Sequence, residues 1–136
     1  MRIDWKEYAL RLAEVAKLRS EDPYMQVGAC ALSEDNRVIA CGYNGLVQGK
    51  IVDPSFWKDR DLRRPFMIHA ETNLLSLCKR GEVKLIASTL LPCTSCAQSI
   101  AAYGVKEVVF NEIYQRDAQA IEIFEFYKIT LTQIKL

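Results

Sequence analysis

The chain has 136 residues, half of them hydrophobic and 26% charged, with a formal net charge of +1. That length and balance suit a single globular domain, expected over residues 1–136, with enough interior to fold without staples. The near-zero charge argues against a general attraction to nucleic acid, and no apolar run nears the roughly 20 residues that a membrane span needs.

The N-terminus, Met1-Arg2-Ile3-Asp4-Trp5-Lys6-Glu7, is charged and lacks the apolar stretch of a signal peptide. A soluble, cytoplasmic protein is therefore expected. The five cysteines are Cys30, Cys41, Cys78, Cys93 and Cys96. An odd count without a secretion signal points to reduced thiols, with a Cys30–Cys41 disulfide as the disfavoured alternative. Cys30, Cys41 and Cys78 are expected as small buried hydrophobes.

Asp4 and Glu7 have capping-box spacing, with aspartate in place of Ser or Thr, so the first helix begins near Asp4. Trp5, Tyr8, Ala9, Leu12, Val15 and Ala16 share its expected core face, and Asp22-Pro23 marks its end. Val27–Leu32 and Val38–Gly42 are apolar runs on either side of a polar turn, which predicts a hairpin. Continuous apolar runs suggest burial on both faces.

The segment from Gly45 to Pro65 has no clean period and is expected to be a lid or substrate loop, with a helical turn near Phe56-Trp57. A helix is expected from Ala70 to Arg80, stopped by Gly81. Then follow a strand (Lys84–Leu91), a helix (Cys93–Tyr103), a strand (Glu107–Phe110), a helix (Asp117–Phe126) and an edge strand (Ile129–Ile134). The leading hairpin gives one antiparallel pair, and the later strand-helix-strand units give parallel strands with right-handed crossovers. The fold class is thus α/β: a three-layer α/β/α sandwich around a mixed five-stranded sheet, with helices on both faces.

The sole histidine, His69, stands in His69-Ala70-Glu71 immediately before a predicted helix. Pro92-Cys93-Thr94-Ser95-Cys96 opens another. One imidazole and two thiolates are three zinc ligands, and a catalytic zinc site keeps a fourth position for water. A helix start favours thiolate, and Glu71, two residues from His69, is placed to move protons. Each piece alone has an ordinary explanation: a core histidine, a redox pair, or a proline or an acid favoured at a helix start. Combined, H-x-E and P-C-x-x-C form the pattern of zinc nucleobase deaminases.

These residues resemble the cytidine and deoxycytidylate deaminase superfamily, and within it the deoxycytidylate (dCMP) deaminase branch. The resemblance spans nearly the whole chain. It runs through Asp22-Pro23 with Val27-Gly28-Ala29, Gly42-Tyr43-Asn44-Gly45, His69-Ala70-Glu71-Thr72-Asn73, Thr89 to Ala97, and Gly104-Val105-Lys106. It implies Zn2+ on His69, Cys93 and Cys96, with Glu71 as proton shuttle. It implies Asn44 on the sugar, the Ala70 N–H on the base carbonyl, and backbone near Leu91 and Pro92 accepting from the amino group. It also implies a homo-oligomer that converts dCMP to dUMP. Departures at Leu46-Val47-Gln48-Gly49 and Leu74-Leu75 leave other substrates open: cytidine or deoxycytidine, guanine, or a tRNA adenosine. A non-catalytic zinc-stabilised interaction module is a further alternative, against which Glu71 argues. Asn44-Gly45 could also be a simple turn.

The loop before His69 carries Lys58, Arg60, Arg63 and Arg64, and arginine grips phosphate bidentately. Arg63 and Arg64, nearest to His69, are the expected phosphate ligands of a nucleotide substrate. The competing explanation is a solvated charged loop paired internally with Asp59 and Asp61.

Overall fold

Asp4 caps the first helix, α1 (Trp5–Ala16), by accepting a hydrogen bond from the Glu7 N–H at 2.8 Å. The structure, a computed structural model, describes residues 1–114 and 117–136. Helix α1 stops at Ala16, well before Asp22-Pro23, and a 3-10 turn over Lys17–Arg19 follows. Its core face also differs from expectation. The buried residues are Ala9, Leu10 and Ala13, while Trp5 is 54% and Val15 63% exposed. The cause is a close approach: a Cβ on Gly28 would lie 2.0 Å from the Ala13 carbonyl oxygen. Small residues permit that contact, and Trp5 and Val15 turn outward while Leu10 alone among the bulky apolar side chains of α1 is fully buried.

Strands β1 (Gly28–Leu32) and β2 (Val38–Tyr43) form the expected antiparallel hairpin, with Cys30 opposite Cys41. Strand β1 is buried throughout, but β2 lies at the sheet margin and is largely half-exposed. The expectation of two-faced burial therefore holds for β1 only. Cys30 is buried, Cys41 exposed and Cys78 half-buried, and all five cysteines are free thiols.

Gly45 and Ile68 exchange two backbone hydrogen bonds, of 3.0 and 2.8 Å, and so close the base of a long excursion between them. This arm contains a 3-10 turn at Pro54–Lys58, where a turn near Phe56-Trp57 was expected, and a short helix, α2 (Arg60–Arg63). A further 3-10 turn spans Arg64–Phe66. Then come α3 (Ala70–Leu75), shorter than expected, β3 (Leu85–Leu90), α4 (Thr94–Ala102), β4 (Glu107–Glu112), α5 (Ala118–Phe126) and β5 (Thr130–Gln133).

The five strands lie in the order β2-β1-β3-β4-β5. β3, β4 and β5 are parallel neighbours, whereas β1 is antiparallel to both β2 and β3. The second antiparallel junction goes beyond the single pair expected, because β1 and not β2 takes the place beside β3. Alternation along β1 divides the core. Ala29 and Ala31 face Leu74, Ile100 and Phe124 of the helices α3, α4 and α5. Cys30 and Leu32 face Ala9, Leu10 and Ala13 of α1. The three-layer arrangement puts the starts of α3 and α4 together beside the carboxyl end of β3, where ligand sites of α/β sheets form.

Candidate active site

His69 and Cys93 occupy the N-cap positions of α3 and α4 in extended backbone conformation, and neither side chain caps its own helix. Both side chains are thus free to face each other across the junction. His69 Nδ1 lies 3.3 Å from Cys96 Sγ and 3.4 Å from Cys93 Sγ. All three ligand atoms fall within 4.8 Å of one another. Tetrahedral zinc, with bonds of about 2.3 Å to sulfur and about 2.05 Å to nitrogen, separates S and N by about 3.6 Å. The two S···N distances are within a few tenths of an ångström of that spacing. This donor set fits a zinc ion, and Nδ1 is the imidazole atom turned toward it.

The two sulfurs favour a cation electronically as well. Cys93 is held down at about 3, chiefly by the hydrogen bond from Cys96 and then by His69. The same Cys93 contact, together with burial, pushes the Cys96 thiol up. His69 is raised, foremost by its hydrogen bond with Cys93. Without a cation the sulfurs share one proton, which metal binding displaces. Glu71 sits in the first turn of α3 and is only 5% exposed. Burial pushes its carboxyl up to about 7, from 4.5.

A cavity of about 750 Å³ opens onto this cluster. All the expected substrate-facing residues line it: Asn44, Ala70, Leu91, Arg63 and Arg64, beside His69, Glu71 and Cys93. Their environments differ. Asn44 Oδ1 accepts from the Val27 N–H at 2.8 Å, and its Nδ2 donates to the Met25 carbonyl at 2.9 Å. It braces the cavity wall, and one Nδ2 proton remains beyond those bonds. Ala70 is the first residue of α3, so its N–H has no partner within the helix. Leu91 follows β3 and donates its N–H to the Glu112 carbonyl at 2.9 Å.

Arg63 does not stand in solvent as an exposed loop arginine would. It is 4% exposed, and its Nη1 donates to Asp22 Oδ2 at 3.0 Å. Arg60 and Arg64 are exposed at the cavity rim, with Arg60 Nη2 3.3 Å from the Tyr114 hydroxyl. Asp59 and Asp61 are not the ion-pair partners of these arginines among the described residues.

Three lining residues were not singled out by the sequence. Asp22 was read as a helix stop and as part of the family motif, with no role of its own at the site. Tyr114 carries no local signal at all. Asp117 joins two helices: it accepts from the Thr94 N–H at 2.8 Å, from Thr94 Oγ1 at 2.7 Å and from the Ala120 N–H at 3.1 Å. One carboxylate thereby caps α5 and fixes the start of α4, which carries the cysteines. An aspartate before a helical run is the signal that could have marked it.

The family model for the cytidine and deoxycytidylate deaminase zinc-binding region matches residues 3–112. The deoxycytidylate deaminase of Mus musculus is 33% identical over 124 residues, covering 86% of this chain and 70% of that enzyme. The Homo sapiens deoxycytidylate deaminase is 35% identical over 115 residues, covering 79% of this chain and 65% of that enzyme. The chain thus spans roughly two thirds of the length of these relatives. The crystal structure of the cyanophage S-TIM5 dCMP deaminase with dCMP and dUMP superposes with a TM-score of 0.79 at 25% identity, covering 98% of this chain and 99% of that one. With zinc-type ligands converging on a buried acid, and with the family model matching most of its length, the chain belongs to the cytidine and deoxycytidylate deaminase zinc-binding family.

Proposed function

We propose that this protein deaminates dCMP hydrolytically, giving dUMP and ammonia. The observation that carries the reading is a single cavity whose floor holds His69, Cys93 and Glu71 and whose rim holds Arg60 and Arg64. The floor fits the base, and the two rim cations fit a phosphate. A nucleoside or a free base has no anion to occupy that rim.

His69, Cys93 and Cys96 hold the zinc. When bound, zinc acts as a Lewis acid and makes water reactive near neutral pH. Glu71 takes the proton that water loses on adding its oxygen to C4 of cytosine. The same carboxyl delivers that proton to N3, then takes the second proton from the new C4 hydroxyl and hands it to the amino group, whose C–N bond breaks to release ammonia as the C4 carbonyl forms. Burial raises the Glu71 carboxyl well above its ordinary value in the metal-free protein, which favours the protonated, donating form that these steps also need. The Ala70 N–H holds the base carbonyl, backbone at Leu91 receives the amino group, and the remaining Nδ2 proton of Asn44 reaches the sugar. Arg64, joined by Arg60, receives the phosphate.

No helix among the described residues is long and apolar enough to cross a membrane. A cytoplasmic location belongs to the same proposal, supported by the need of Cys93 and Cys96 for a reducing compartment. So does a homo-oligomer, supported by apolar side chains left outside, such as Leu18 at 67% and Phe126 at 78% exposure. The test is ammonia release by zinc-loaded protein across dCMP, CMP, deoxycytidine, cytidine, guanine and tRNA. The greatest kcat/KM is expected for dCMP; a preference for guanine or tRNA would refute the assignment.

A further inference from the structure

The arginine arm contains one cation that is spent before any substrate arrives. Arg63 is the buried member, and its guanidinium carbon lies 4.7 Å from the centre of the Tyr24 ring and 5.6 Å from that of Trp57. Its Nη1 donates to Asp22, itself only 8% exposed. Its Nε finds no hydrogen-bond partner among the described residues, so Asp22 and the two aromatic faces hold the cation. A phosphate at this guanidinium would meet the Asp22 carboxylate already paired there, like charge against like.

Asp22 reaches further into the wall. Its Oδ1 accepts from the Tyr24 N–H at 2.8 Å and from the Met25 N–H at 3.2 Å. Met25 in turn accepts from Asn44. The chain of contacts therefore runs from the arm through Arg63 and Asp22 to the loop that carries Asn44. The arm is otherwise fastened at its base, where Gly45 pairs with Ile68, and across the mouth, where Arg60 approaches Tyr114.

Resting on the dCMP reading above, we propose that Arg63 is a positioning residue: with Asp22 it latches the arm to the Asn44 wall, and this sets Arg60 and Arg64 at the mouth. Arg63 does not itself bind the phosphate. A cation held against two aromatic rings and paired with a buried carboxylate is rigid, which suits a latch. The exposed Arg60, on the same short helix, and Arg64, just after it, keep their charge for the ligand.

The test compares Asp22→Asn, Arg63→Met and the double variant, which leaves no unpaired charge buried and guards against simple unfolding. A latch predicts that KM for dCMP rises about tenfold to a hundredfold in Asp22→Asn and Arg63→Met alike, the equivalent of one hydrogen bond to a charged group, with a smaller rise for deoxycytidine, which meets the Asn44 wall but not the two arginines. It predicts a much smaller change in kcat, and a double variant no worse than either single one. Arg60→Ala with Arg64→Ala should weaken dCMP far more than deoxycytidine, whose KM the latch variants also raise. Loss confined to dCMP in Arg63→Met, with Asp22→Asn harmless, would overturn the latch and make Arg63 a phosphate ligand. Chymotrypsin supplies a readout independent of activity: cleavage at Phe56, Trp57 and Phe66 should quicken in the latch variants, and unchanged cleavage would count against the latch. If the unaltered protein turns over neither substrate, the proposed function fails, while the proteolysis still decides the latch.

Discussion

Glu71→Gln should abolish turnover and, in protein stripped of zinc by a chelator, make the fold more stable at pH 8. The carboxyl is 5% exposed, and burial raises it from 4.5 to about 7. Below pH 4.5 the group carries its proton in both folded and unfolded chains, so folding is indifferent to it. As pH rises from 4.5 toward 7, the unfolded chain releases the proton and the folded one retains it. Stability present below 4.5 is therefore lost progressively up to about 7 and stays lost above it. A displacement of that size corresponds to about 3 kcal/mol. Glutamine has nearly the same shape and no charge, so it escapes this loss. Urea denaturation of both chelated proteins at pH 5 and pH 8 measures the effect. The advantage of the variant should be small at pH 5 and about 3 kcal/mol at pH 8. An advantage equal at both pH values, or an unaltered protein that is the more stable one at pH 8, would refute the burial argument.

Replacing Cys96, which is buried, with Ser should remove zinc and lower the melting temperature, as metal analysis and thermal denaturation would show; a full zinc complement would refute its role as a ligand. Gly42→Ala should displace α3, because the added Cβ would sit 2.8 Å from the Leu74 nitrogen and 2.9 Å from the Ala70 carbonyl oxygen. A destabilisation of about 1–3 kcal/mol in urea, with loss of activity, is expected. Asp117→Ala should cost about 1–2 kcal/mol by uncapping α5 and releasing Thr94. Competition with a chelator should show weaker zinc retention in that variant, since the start of α4 is no longer fixed.

The parts of this protein legible in its sequence are those set by short-range spacing. Cys93 and Cys96 share one helical turn, and Glu71 lies two residues from His69, so local geometry brings each pair near its own helix start. The union of the two pairs needed the sheet, but strand-helix alternation was enough to anticipate that. The face of α1 was misread because hydrophobicity alone nominates Trp5 and Val15, whereas the helix is turned by its close backbone contact with Gly28 at Ala13 and Lys17. Nothing in the period of α1 reports how near β1 will come. Arg63 posed the same difficulty. Its nearest charged residues in sequence are Arg64 and Asp61, yet its partner is Asp22, 41 positions away. Burial of a charge is a property of the assembled arm and wall, not of the charged segment around Arg63.

The floor and the rim of the cavity are therefore determined differently. The floor is built from helix starts: His69 and Cys93 are N-caps, and their helices pack on the sheet through Leu74, Ala97 and Ile100. Moving any one of these shifts a whole helix, so the geometry that holds the metal is tied to the stability of the fold. The rim is carried by an excursion closed at Gly45 and Ile68, whose exposed residues Arg60 and Arg64 add little to the core. Changes there alter what the mouth attracts without shifting the starts of α3 and α4. On the proposed reading, the hydrolytic chemistry and the choice of substrate are thus separable in this chain, and the Arg63–Asp22 pair is where the two halves meet.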